Sequence, residues 1–130
     1  MNVIGTGVDI VDMRRIEKML SKYGERFLKK ILTEKEKEMV YNKTNPRRIL
    51  ESVASLFSMK ESVFKAIGGK KIAFNEIEIV KRKDGLDVNL YGKTKKISEK
   101  KNIDRILMSV SHDAHLCITF AIAVSKQSNI

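Results

Sequence analysis

The chain has 130 residues, 42% of them hydrophobic, a length suited to one domain built on one modest core; no apolar run approaches the roughly 20 residues of a membrane span. Its 26 lysines and arginines against 16 acidic residues give a net charge of +10, which favours an anionic partner without choosing among nucleic acid, anionic lipid, nucleotide and acidic protein. A single cysteine, Cys117, excludes an intrachain disulfide and a multi-cysteine zinc site, and aromatics at 6% leave few stacking platforms for RNA.

The start MNVIGTGVDI lacks the basic and apolar blocks of a signal peptide, so a cytoplasmic location is expected. Residues Asn2 to Ile10 alternate, with Ile4, Val8 and Ile10 on one side and Val3, Gly5 and Gly7 on the other, which predicts a strand narrowed by glycine and carrying Asp9 near its end. Asp12 caps a helix that turns Ile16, Met19 and Leu20 inward, leaves Arg14, Arg15, Lys18 and Lys22 outside, and stops at Gly24. Thr33 and Glu36 have capping-box spacing for a helix ending near Asn42, and Asn45-Pro46 opens a longer one that runs to about Ile67. Apolar residues cover more than one stripe of that long helix, as expected of a helix packed on several sides, and Gly68-Gly69 ends it.

Beyond the glycines, Ile77 and Ile79 alternate with charges, Asp84-Gly85 marks a turn, and Leu86, Val88 and Leu90 alternate again, so a β-hairpin is predicted. Lys93 to Lys101 reads as a short basic helix. Two further alternating runs, Ile103 to Ser111 and Leu116 to Ser125, are joined by a turn at His112-Asp113-Ala114. The order predicts an α+β fold, one domain over residues 1–130 with a largely antiparallel sheet packed on helices.

Two carboxylates stand out chemically. Asp9 closes an apolar strand, where an unpaired charge is costly unless solvent, a donor or a cation meets it. Glu61 has Phe57 and Phe64 beside it and Lys65 one turn on; the simplest reading is a surface Glu61–Lys65 pair worth about 0.2–0.5 kcal/mol. Brought within about 4 Å of each other at an effective dielectric near 20, Asp9 and Glu61 would repel by about 4 kcal/mol, which a divalent cation would relieve. Magnesium suits such a pair, because it accepts one or two carboxylates and keeps water and phosphate oxygens as its other ligands. A lysine one turn away would then oppose charge gathering on a phosphate leaving group. Cys117 reads as a buried, inert thiol, His115 and Tyr91 as structural, and the basic helix face by default as solvated. His112, in a turn, is exposed and available, although a turn histidine is most often structural. A basic nucleic-acid-binding domain without catalysis is the competing reading, since it accounts for the charge without either carboxylate.

Three ordered blocks, IGTGVDIVDMRR at 4–15, FSMKESVFKAIG at 57–68 and SVSHDAHLCITFAIA at 109–123, resemble the bacterial holo-[acyl-carrier-protein] synthase family, the small type of 4′-phosphopantetheinyl transferase. ILTEKE at 31–36 and IAFNEIEI at 72–79 also look like family segments, so the resemblance spans nearly the whole chain. It implies the 4′-phosphopantetheinyl transferase fold and transfer of phosphopantetheine from coenzyme A to an acyl carrier protein in support of fatty acid biosynthesis. It also implies magnesium on Asp9 and Glu61, Lys65 on the phosphate that leaves as 3′,5′-ADP, and His112 near the 3′-phosphate. Arg14, Arg15, Lys18 and Lys22 would receive the acidic carrier protein, and a homotrimer would place each active site at a subunit boundary. Two departures from the pattern stand out. Leu56 occupies a position where the family has arginine, and Gly68–Lys71 is shorter than the usual glycine-rich loop, with Lys70 and Lys71 the expected replacements for the missing charge.

Overall fold

In a computed structural model the described residues are 1–126. The chain runs through strand β1 (Val3–Asp12), helices α1 (Met13–Tyr23), α2 (Glu25–Ile31), α3 (Glu34–Tyr41) and α4 (Pro46–Ile67), and a 3-10 turn at Phe74–Glu76. The hairpin β2 (Ile77–Arg82) and β3 (Gly85–Leu90), helix α5 (Gly92–Lys100), and the hairpin β4 (Ile103–Asp113) and β5 (Leu116–Ser125) follow. The strands form two antiparallel sheets, one ordered β1-β5-β4 and one made of β2 and β3. The expected α+β fold is therefore present, with its strands divided between two sheets.

The helix ends follow the side-chain chemistry anticipated for them. The Asp12 carboxylate accepts from the Arg14 amide, Thr33 and Glu36 make both halves of a capping box, and Asn45 accepts from the amides of Arg47 and Arg48 with Pro46 in the first turn. Gly24 ends α1 at a φ of 53°, and α2 starts immediately after it. Helix α2 was not anticipated, although Phe27, Leu28 and Ile31, all buried, have the spacing of one helical stripe. The hairpin loops sit one or two residues from their expected places. Lys83-Asp84 links β2 to β3, and Ala114-His115 links β4 to β5, so His112 belongs to a strand, opposite Cys117.

Helix α4 is the central element, packed on β1 and β5 from one side and on α1 and α3 from others. Its contact with β1 is backbone to backbone: a Cβ on Gly5 would lie 2.1 Å from the Ala66 carbonyl oxygen, and one on Gly7 would lie 1.9 Å from that of Ser62. The glycine side of β1 thus faces inward, and Ile4, Val8 and Ile10 face out, 40%, 56% and 59% exposed. On the neighbouring strand Phe120 pairs with Val8 and Ile118 with Ile10, both 41% exposed, so the outer face of this sheet is apolar.

On its other side α4 buries the Lys60 ammonium completely. It donates to the carbonyls of Ile31 and Phe74 and to the Glu36 carboxylate, which in turn accepts from the amides of Thr33 and Ile79. One salt bridge thereby ties α2, α3, the 3-10 turn and β2 to α4. Among the described residues, no helix is long and apolar enough to cross a membrane.

Candidate active site

The end of β1 lies against the middle of α4, and this juxtaposition assembles a group of charged side chains that are distant in sequence. Asp9, with its side chain 14% exposed, keeps one carboxylate oxygen 3.0 Å from the Ser58 hydroxyl and the other 3.5 Å from the Lys65 ammonium. Lys65 also donates to the Val8 carbonyl at 2.9 Å. The simple surface pair of Glu61 with Lys65 is therefore replaced by a pair between Lys65 and Asp9. Glu61, half-buried on the same face of α4, has its carboxyl pushed above the ordinary range, first by burial and then by the negative charge of Asp9, against the pull of Lys65 and Arg15. The fold thus brings Asp9, Glu61 and Lys65 together, a meeting that the sequence pattern alone did not establish.

The donor set fits magnesium. Asp9 and Glu61 are two carboxylates near enough for the charge of one to act on the other. Magnesium is usually held by one or two carboxylates, with water and phosphate oxygens at its other positions.

His112 stands one turn of α4 away from Asp9, its Nε2 2.8 Å from the Ser55 hydroxyl. It lines an open cavity of about 370 Å³ together with Lys43, Arg48, Ser55, Leu56 and Lys81. Leu56 is a buried core residue at 2% exposure, and the positive charge beside His112 comes from Lys43, Arg48 and Lys81. Lys70 and Lys71 do not line this cavity. Arg48 lies two turns before Leu56 on α4, and that helical spacing was the available signal for it.

The basic strip of α1 divides in two. Lys18 and Lys22 are exposed, with Lys22 over the Tyr23 ring, while Arg15 stands 5.8 Å from the centre of the Phe57 ring and its charge reaches Glu61. Arg14 remains largely exposed but is held by Asp12 at 2.7 Å and lies 3.0 Å from His115. Helix α2 adds Arg26, Lys29 and Lys30, and a cavity of about 380 Å³ between α1 and α2 is lined by Met19, Tyr23, Arg26, Phe27 and Lys30. Tyr91 donates to Glu78, and the Cys117 thiol is buried and pushed up from its ordinary pKa by that burial, both structural roles as anticipated.

Residues 5–120 match the 4′-phosphopantetheinyl transferase superfamily. A holo-[acyl-carrier-protein] synthase of Caldanaerobacter subterraneus subsp. tengcongensis is 38% identical over 129 residues, covering 97% of this chain and 98% of that one. Among solved structures, the holo-ACP synthase of Plasmodium yoelii superposes with a TM-score of 0.88 at 31% identity, covering 97% of this chain and 98% of the other. The Helicobacter pylori holo-[acyl-carrier-protein] synthase in complex with coenzyme A superposes with a TM-score of 0.76 at 29% identity, covering 92% and 99%.

Proposed function

The chain belongs to the holo-[acyl-carrier-protein] synthase family of 4′-phosphopantetheinyl transferases, and we propose that its chemistry runs where β1 meets α4, around Asp9, Glu61 and Lys65. It transfers the 4′-phosphopantetheine group from coenzyme A to a serine of an apo-acyl carrier protein and releases 3′,5′-ADP. The competing reading of a noncatalytic nucleic-acid-binding domain gives way to that assignment.

The observation that carries the site reading is the convergence of Lys65 on Asp9 at 3.5 Å while the charge of Asp9 raises the pKa of Glu61. Asp9 and Glu61 would hold magnesium. When bound, the ion supplies positive charge against the diphosphate of coenzyme A. Lys65, released from Asp9, would place its ammonium against the phosphate oxygens that gain charge as the leaving group departs. The carrier serine oxygen attacks the phosphorus nearer the pantetheine; a new O–P bond forms as the bond to 3′,5′-ADP breaks, and its electron pair stays on the departing phosphate. Glu61 is one candidate for the base that takes the serine proton, and engagement with a metal would make it a poorer base. His112 is the proposed contact for the 3′-phosphate, with Arg48 and Lys81 in support.

The acidic carrier protein would dock on α1 through Arg14, Arg15, Lys18 and Lys22, and α2 adds Arg26, Lys29 and Lys30 to the positive charge next in the chain. The proposed assembly is a homotrimer with active sites at subunit boundaries. The apolar outer face of β1 and β5 supports it, because such a face exposed to water calls for a partner. One cytoplasmic transferase domain over residues 1–130, serving fatty acid biosynthesis, completes the reading. To test it, the protein is incubated with coenzyme A, magnesium and an apo-carrier protein, and the carrier is weighed by mass spectrometry. A gain of one phosphopantetheine is expected with the wild-type chain and none with Asp9→Ala or Glu61→Ala. Full activity in either variant would remove the metal assignment.

A further inference from the structure

The Asp9 carboxylate is held from behind by the Ser58 hydroxyl, which the reaction itself does not use and which Thr119 backs in turn. The Ser58 hydroxyl lies 3.0 Å from one Asp9 oxygen and 2.9 Å from the Thr119 hydroxyl. Thr119 also reaches the Ser58 carbonyl at 2.8 Å and the Ser62 hydroxyl at 3.1 Å, and Ser62 donates to the Met59 carbonyl at 2.8 Å. Ser58 and Ser62 are 0% exposed and Thr119 is 1% exposed, so the group is closed off from bulk water. Thr119 stands directly opposite Asp9 in the β1–β5 register, and Ser58 approaches from α4, whose nearness depends on Gly5 and Gly7.

The proton count sets the direction of this chain of hydroxyls. An ionised carboxylate only accepts, so the single Ser58 proton goes to Asp9. Ser62 spends its proton on the Met59 carbonyl, and the single Thr119 proton goes to the Ser58 carbonyl at 2.8 Å, so Thr119 holds the turn of α4 that carries the Ser58 hydroxyl. With its inner oxygen held, Asp9 turns the other oxygen outward, toward Lys65 and the side where Glu61 lies.

We propose that Ser58 and Thr119 are positioning residues, a buried relay in which Thr119 fixes the turn of α4 at Ser58 and the Ser58 hydroxyl orients the Asp9 carboxylate for its metal. The proposal rests on the metal reading above. Groups that hydrogen-bond a metal-ligating side chain typically alter metal affinity or activity by about 10–100-fold when removed.

The test uses manganese as the probe, titrated into the full-length protein with coenzyme A present and followed by electron paramagnetic resonance. Cooperative thermal unfolding monitors the fold. Ser58→Ala and Thr119→Val should each weaken manganese binding by about tenfold or more while still melting cooperatively, and Thr119→Ser, which keeps the hydroxyl, should restore wild-type affinity. Wild-type affinity in a folded Ser58→Ala protein would overturn the relay, as would equal loss in Thr119→Ser and Thr119→Val. Should Ser58→Ala fail to fold, the Thr119 pair decides alone. Asp9→Ala separates this idea from its premise. If Asp9→Ala loses manganese and Ser58→Ala does not, the relay alone is wrong; if Asp9→Ala binds manganese normally, the metal reading is wrong.

Discussion

Glu61 holds its proton to a higher pH in the folded chain than in the unfolded one, chiefly through burial and secondarily through Asp9. Between the ordinary glutamate value near 4.5 and the raised folded value, the native state binds more protons than the unfolded state, so stability falls as pH climbs through that window. Glu61→Gln removes this liability. Without metal, its melting temperature should exceed that of the wild type at neutral pH, and the difference should shrink below the ordinary glutamate value. Parallel melting curves across that range would show that the carboxylate is not the source. A site that costs stability when empty and relieves it on binding a cation is the expected signature of a functional carboxylate. Lys65 makes a different case, because in the proposed reaction its contribution would grow as negative charge builds on the departing phosphate. Lys65→Ala should lower kcat by about 10²–10³-fold with a much smaller change in the Michaelis constant for coenzyme A, and an unchanged kcat would rule out that role.

At the scale of elements, the contact of β1 with α4 and the Lys60 bridge are the two points where the fold tolerates least. A methyl group at Gly7 would meet the Ser62 carbonyl oxygen at 1.9 Å, and backbone on both sides leaves it nowhere to move. Gly7→Ala should therefore push β1 off α4 and carry Asp9 away from Glu61 and Lys65; the expected result is a lower melting temperature together with loss of transfer. A fully active, fully stable variant would mean that the two elements can slide. Lys60 is buried with acceptors on every side, and Lys60→Ala would leave the Glu36 carboxylate uncompensated, a loss of about 3–5 kcal/mol measurable by urea unfolding. The capping box at Thr33 and Glu36 was legible because its spacing is local. That Glu36 would also serve Lys60 and the amide of Ile79 was not, since those partners lie 24 and 43 residues away in the chain.

For the whole molecule, surface character bears on the proposed assembly and docking. Val8, Ile10, Ile118 and Phe120 form an outward apolar patch, so Phe120→Glu should convert the proposed trimer to a smaller species by light scattering and reduce transfer with it. Retention of a trimer would place the interface elsewhere. On the cationic side, charge reversal at Arg14 and Lys18 should raise the Michaelis constant for the carrier protein far more than that for coenzyme A. The effect should fade as salt shortens the Debye length to about 8 Å near physiological strength. If neither constant moved, or only that for coenzyme A, α1 would be excluded as the docking element. Arg14 is already engaged by Asp12, whose carboxyl that guanidinium pulls down to about 2, so Lys18→Glu alone should show much of the effect.

Local chemistry is what the amino-acid order settles by itself. The capped helices, the alternating strands, the α+β class and the ordered motifs with Asp9, Glu61 and Lys65 all rest on neighbours within a turn or a strand, where periodicity and capping have short-range causes. The same order could not say which face of β1 turns inward, because Ile4, Val8 and Ile10 look like core until the glycines on the other side are seen to admit α4 at backbone distance. Nor could it pair Lys65 with Asp9, put Ser58 and Thr119 behind that carboxylate, or gather Arg48 and Lys81 around His112. Those relations join residues from separate elements, and they come into being only when packing places α4 across the sheet and the low dielectric there makes each charge depend on its new neighbours.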